Sequence, residues 1–248
     1  MIRGTNSFSD SARPSDHGGT LLPAWFGPWR RLADRRGRRE VERSSTPKDR
    51  FAMRGLDRFL LWIDAVGGYW VCLGDEIVLG QPVRSDQVDV PLLGDLSGRH
   101  ARIRRDGEGY LIEAIREVRL DGRPVADFAP LVDGSLIQLG SKVKLVFRRP
   151  HPLSATARLD FASTHRTQPT VDAILLMAET CILGPRPNSH VVCRKWPDDV
   201  VLYRHENNLY CRAAGLTEID GQPCRQKGPI GRNSRISGER FSLCLEQL

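Results

Sequence analysis

Few residues in this chain are of a kind that does chemistry, and their spacing decides which chemistry that is. His165, His190 and His205 are scattered, with no nucleophile–base motif around them. No G-x-S-x-G, H-E-x-x-H, phosphate-loop or dinucleotide fingerprint occurs. The six cysteines, Cys72, Cys181, Cys193, Cys211, Cys224 and Cys244, form no C-x-x-C pair and no Cys/His cluster with zinc spacing. These patterns predict a protein that is not an enzyme and uses no metal or cofactor. Free, mostly buried thiols in a reducing cytoplasm are the expected state of the cysteines. What remains is a set of hydrogen-bond donors, centred on Ser97-Gly98-Arg99-His100, with Gln81 and Arg84 before it and Arg116 after it. Such donors suit the gripping of an anion.

The elements that position these donors belong to a chain of 248 residues, enough for one or two domains. A hydrophobic fraction of 40% is too high for wholesale disorder, and Gly 23 with Pro 16 suits short strands joined by tight turns. The net charge of +7 is not spread evenly. Residues 1–56 carry twelve Arg/Lys against six Asp/Glu, so the basic excess belongs to this segment and residues 57–248 are nearly neutral. The segment is expected to be a basic flexible tail with an apolar island at Trp25-Phe26-Gly27-Pro28-Trp29 and one short helix around residues 31–42. A second reading starts the natural chain at Met53. A third makes the tail an arm that touches nucleic acid or an anionic membrane surface. The longest apolar stretch, residues 59–73, is broken by Asp64 and Gly67-Gly68, so no membrane span is expected.

From residue 57 the pattern is that of strands. Phe59-Leu60-Leu61-Trp62-Ile63 is an apolar run, Gly67-Gly68 offers a turn, and further strands are predicted near residues 69–73, 77–80, 101–104, 110–113, 118–120, 136–139 and 143–147. Asp106-Gly107, Asp121-Gly122, Asp133-Gly134 and Gly140 separate them. Short strands at this spacing predict a sandwich.

The chain also repeats itself. Residues 71–80 lay over 175–184 at an offset of 104, and 101–110 over 201–210 at 100. Leu120-Asp121-Gly122-Arg123-Pro124 matches Ile219-Asp220-Gly221-Gln222-Pro223 at 99, and 139–147 matches 237–245 at 98. The offset changes only between blocks, in segments read as loops. Two copies of one sandwich follow, in residues 57–150 and 151–248, with Pro150 and Pro152 marking a short and nearly rigid connection.

The first copy resembles the forkhead-associated (FHA) domain family. The resemblance rests on Gly80-Gln81, Ser97-Gly98-Arg99-His100-Ala101, Leu120-Asp121-Gly122, and Asp133-Gly134 through Leu139-Gly140 to Leu145-Val146-Phe147. It covers about residues 57–148 and, more weakly, 154–248, in the style of bacterial tandem FHA proteins. The fold this implies is all-β, two tandem FHA-like β-sandwiches behind a disordered or partly helical tail.

The function implied is protein–protein interaction in signalling, with a phosphothreonine peptide read by loops at one end of the sandwich. By the same resemblance Ser97 takes the phosphate-contacting position, Arg99 stands beside it as a second donor, and His100 braces the loop. Gly80, Asp121 and Gly122 support it. The family's strand-end arginine is Gln81 here, a donor without charge. The peptide-gripping asparagine falls near Arg116, within Ala114-Ile115-Arg116-Glu117. Arg84 and Arg116 are placed to restore the missing charge. In the second copy Gly184 is followed by Pro185, and Pro197-Asp198-Asp199-Val200 stands where Ser-x-x-His would be, so two carboxylates repel a phosphate there and a structural role is expected. Thr46-Pro47-Lys48-Asp49 places an acid three residues after a threonine, a spacing many FHA domains read. A phosphate-independent scaffold subunit is the alternative function.

Overall fold

The structure is a computed structural model and describes residues 58–83, 88–206 and 208–248. Every regular element among the described residues is a strand. In the first half these are β1 (Arg58–Ile63), β2 (Gly67–Cys72), β3 (Glu76–Gly80), β4 (Val90–Pro91), β5 (Ala101–Asp106) and β6 (Gly109–Ala114). They are followed by β7 (Val118–Leu120), β8 (Arg123–Pro124), β9 (Phe128–Leu131), β10 (Leu136–Leu139) and β11 (Val143–Arg148). The second half holds β12 (Ala157–Phe161), β13 (Ala173–Leu176), β14 (Thr180–Gly184), β15 (Val191–Val192) and β16 (Val200–His205). It ends with β17 (Asn208–Ile219), β18 (Gln222–Ile230), β19 (Arg235–Gly238) and β20 (Ser242–Gln247). The fold is all-β, as expected. The predicted tail and its helix lie outside the described residues, and among the described residues no helix is long and apolar enough to cross a membrane.

Turn chemistry fixes the hairpins. Asp121 and Gly122 have φ of 51° and 80°, and Asp220 and Gly221 have 52° and 78°. Both pairs satisfy a two-residue turn that needs positive φ at both centres. In each, the aspartate carboxylate accepts a 2.8 Å bond from a strand paired with the one that precedes the turn, from Leu136 N–H of β10 in one case and Arg235 N–H of β19 in the other.

The same pairing scheme recurs in the two halves. β3 pairs with β4 in parallel and with β5 antiparallel, and β5 pairs with β6. Likewise β14 pairs with β15 in parallel and with β16 antiparallel, and β16 pairs with β17. One detail differs from the sequence alignment. Leu79 faces Ala101 and Leu183 faces Val200, so the counterpart of Ala101 is Val200, an offset of 99 and not 100. A one-residue slip would turn every side chain to the wrong face. The corrected register instead places the fully buried Ile103 and Leu202 in equivalent positions.

The two halves exchange hairpins. β12 pairs with β11, so β12–β13 completes the first half, while β1 pairs with β20, so β1–β2 completes the second. β2 and β13 then lie side by side in parallel, with Val71 opposite Leu175. One five-stranded sheet, β4-β3-β5-β6-β9, stands apart from a fifteen-stranded sheet. The larger runs β15-β14-β16-β17-β19-β20-β1-β2-β13-β12-β11-β10-β7-β8, with β18 paired to β17. Among the described residues both halves fall in one compact unit. The physical reason is local. Only residues 149–156 separate β11 from β12, so β12 folds back onto its neighbour, as consecutive elements usually do. The free edge of β20 is left for β1.

The middle strands are apolar on both faces because each face covers a different core. Leu60, Trp70, Cys72, Ile174 and Leu176 join the first core, with Ile77, Leu79, Ile103 and Phe147. Phe59, Leu61, Ile63, Tyr69, Val71 and Leu175 join the second, with Leu183, Leu202, Ile236 and Leu243. Continuous apolar runs, instead of alternation, are what strands buried on both faces require.

Candidate functional site

The predicted donors meet at one loop end of the first half. β3 ends at Gly80, where an added Cβ would come within 1.9 Å of the Gly98 carbonyl oxygen. Glycine is therefore what lets the 97–100 loop lie against the strand end. Gln81 N–H donates to the Ser97 carbonyl at 3.0 Å and His100 N–H to the Leu79 carbonyl at 2.9 Å, which fixes that loop at both ends.

His100 is the brace. It is buried, its Nδ1 accepts a bond from Ser97 N–H at 3.2 Å, and its Nε2 lies 2.8 Å from the Glu117 carbonyl. Acceptance at Nδ1 places the ring proton on Nε2, which donates to Glu117. The His100 carbonyl in turn accepts from Ile115 N–H and Arg116 N–H, at 3.2 and 2.9 Å. One residue thus ties the 97–100 loop to the 114–117 loop.

Between these loops lies an open depression lined by Ser97, Gly98, Arg99, Arg102, Glu113, Ile115 and Arg116. Arg99 and Arg116 are exposed, and neither makes an ion pair among the described residues. Arg102 is different, since Glu76 at 3.8 Å and Glu113 at 3.4 Å neutralise it. The Ser97 hydroxyl has no hydrogen-bond partner among the described residues, although its backbone N–H and carbonyl are both used. The result is a hydroxyl and two uncompensated guanidiniums on a braced loop, an arrangement suited to an anion.

Of the residues singled out from sequence, Ser97, Arg99, Arg116, Gly80 and His100 come together here. Gln81 is exposed at the strand end and joins through its backbone. Arg84 lies outside the described residues. Asp121 and Gly122 are not brought to the depression; they build the β7–β8 turn and hold β10 through Leu136. Arg102 and Glu113 were not anticipated, although both sit on outward-facing positions of β5 and β6 and are directly opposed in register.

The corrected register also moves the comparison between halves. His100 corresponds to Asp199, and residues 193–199 contain no serine or threonine, so the second half keeps neither the brace nor the hydroxyl. Asp199 is 3.7 Å from Arg186 in an ion pair.

The fold is an all-β sandwich whose loop end gathers one free hydroxyl and two guanidiniums without ion-pair partners among the described residues. Part of the chain is similar to solved FHA domains. One comes from a structural and functional analysis of phosphothreonine-dependent FHA domain interactions, at 26% identity and a TM-score of 0.25, covering 34% of this chain and 88% of that one. The FhaA FHA domain complexed with the intracellular domain of Rv3910 matches at 25% identity and 0.25, covering 33% and 91%. The FHA domain of the CT664 protein from Chlamydia trachomatis matches at 27% and 0.24, covering 34% and 89%. No protein-family model and no curated protein matches the chain.

Proposed function

We propose that this chain is a non-enzymatic protein-interaction module of the FHA type, and that its first half reads a phosphothreonine peptide through Ser97, Arg99 and Arg116. The observation that carries the reading is the unpartnered Ser97 hydroxyl, on a loop braced by His100, in one depression with Arg99 and Arg116, which have no ion-pair partners among the described residues. A phosphate brings close to two negative charges and three acceptor oxygens, which matches those donors. Gln81 supplies an amide in place of a charge, so the site depends on Arg99 and Arg116 for its electrostatics.

Calorimetric titration with a phosphothreonine peptide and its unmodified twin tests this. The modified peptide should bind more tightly, and Ser97→Ala or Arg116→Ala should weaken it about ten- to a hundredfold, as expected for loss of a charge-assisted bond. Equal affinity for the two peptides would remove phosphate reading. A phosphate-independent scaffold role is favoured by a separate observation: Phe128 and Val132, in and beside the sheet-edge strand β9, are 69% and 61% exposed.

A further inference from the structure

The exchanged hairpins differ at their tips. Between β12 and β13 the chain runs through residues 162–172, and this loop lies along residues 91–93. Leu92 bridges Thr167 antiparallel, Leu93 N–H donates to the Arg166 carbonyl at 2.8 Å, and Gln168 N–H donates to the Pro91 carbonyl at 3.3 Å. Between β1 and β2 there are only residues 64–66. The counterparts of Pro91 and Leu93 are Val192 and Arg194, because Gly80 pairs with Pro91 and Gly184 with Val192. β15 is the end strand of the large sheet, and Arg194 N–H has no partner among the described residues.

Where the first half has its covering loop, the second has a cavity of about 570 Å³. Its apolar lining includes Val66, Val192 and Trp196, the last 6% exposed and packed on Phe241 with ring centroids 5.2 Å apart. Arg194, Lys195 and Arg240 also line it, all exposed and none in an ion pair among the described residues. Asp64 and Glu239 reach the same cavity, which leaves the cations in excess.

We propose that an extended acidic segment of a partner protein adds to this edge, in the place that residues 166–168 hold in the first half. Its backbone accepts from Arg194 N–H and donates to the Val192 carbonyl, as the chain itself does at Leu93 and Pro91. Alternate acidic side chains meet Arg194, Lys195 and Arg240, and the intervening apolar ones rest on Trp196 and Phe241. Main-chain bonds supply attachment and alternate side chains supply selectivity, the usual division in strand addition. The site shares no lining residue with the depression around Ser97.

The test is an anisotropy titration of the full chain with three labelled octapeptides: alternating Glu and Val, alternating Lys and Val, and the acidic peptide N-methylated at every second residue. The acidic peptide should bind at least about tenfold more tightly than either control. The double variant Arg194→Glu, Lys195→Glu should lose that preference, and Ser97→Ala should keep it. Amide resonances of residues 192–195, not 97–100, should shift on binding to the unaltered protein, a readout that needs no variant to fold. The proposal is overturned by equal binding of the acidic and basic peptides or of the methylated control. Absence of binding at about 1 mM, or shifts confined to residues 97–100, overturns it as well.

Discussion

Gly68 and Asp172 hold each other by two hydrogen bonds although 104 residues separate them. Gly68 N–H donates to the Asp172 carboxylate, and Asp172 N–H donates to the Gly68 carbonyl, each at 2.8 Å. These bonds lock β2 to β13 where their parallel pairing begins, with Tyr69 opposite Ala173. Through this contact the two exchanged hairpins become one surface, covering a core on each side.

The exchange predicts how fragments behave. Residues 151–248 alone lack Phe59, Leu61, Ile63, Tyr69 and Val71, all buried in the second core. Burial of such side chains contributes about 2 kcal/mol each, together about 10 kcal/mol, against a typical net stability of about 5–15 kcal/mol. The fragment should show no cooperative thermal transition by circular dichroism, and adding a peptide of residues 58–72 should restore one. A cooperative transition in the fragment alone would mean the hairpin is dispensable.

Gly80→Ala should damage the proposed anion site without touching a donor. The new methyl meets the Gly98 carbonyl oxygen, a backbone atom that cannot rotate away. Overpacking of this kind costs about 1–3 kcal/mol, read as a lower urea midpoint, together with a loss of phosphopeptide preference. A variant with unchanged stability and unchanged binding would show that the two loops do not need this close approach.

Gln81→Arg should strengthen phosphopeptide binding. Residue 81 is exposed at the end of β3 and its backbone already bonds Ser97, so a guanidinium there reaches the same loop end. One charged bond adds about 1.5–3 kcal/mol, equivalent to a gain of about ten- to a hundredfold measured by calorimetry. Unaltered affinity would separate residue 81 from the phosphate.

Acid should weaken the fold through His190. This side chain is fully buried, its Nδ1 accepts from Ile182 N–H at 2.9 Å, and its Nε2 has no partner. Burial, then the charges of His151 and Arg158, push its pKa down to about 4. Above about pH 6.5 the residue is neutral folded or unfolded and contributes nothing to pH dependence. Between about 6.5 and 4 only the unfolded chain takes the proton, so stability falls with pH, by a few kcal/mol across the window. Urea midpoints at about pH 7 and 5 should differ more for the natural chain than for His190→Asn, whose carbonyl can still accept from Ile182. Identical pH dependence of the two proteins would exonerate His190.

Much of this was legible in the residues. Asp121-Gly122 and Asp220-Gly221 announced their turns, and Ser97, Arg99, His100 and Arg116 proved to be neighbours. The hairpin exchange was not legible, because Phe59-Leu60-Leu61-Trp62-Ile63 states that both faces are buried but not which strand covers them. The slip at Ala101 escaped because Tyr110 aligns with Tyr210 at an offset of 100, and only the pairing of Leu183 with Val200 corrects it. The cavity beside Arg194 had a signal that went unused, the difference between a tip of residues 64–66 and a loop of 162–172.

The double duty of β1, β2 and β13 constrains how this chain can change. A substitution at Leu60 disturbs one interior and its neighbour Leu61 the other, so the hairpins tolerate little drift on either side. The exposed loop positions carry no such burden, and there Arg99 stands in one half while residues 193–199 of the other hold no serine or threonine. Neither half could be deleted without opening the other, so the two can diverge in what they touch but must persist together.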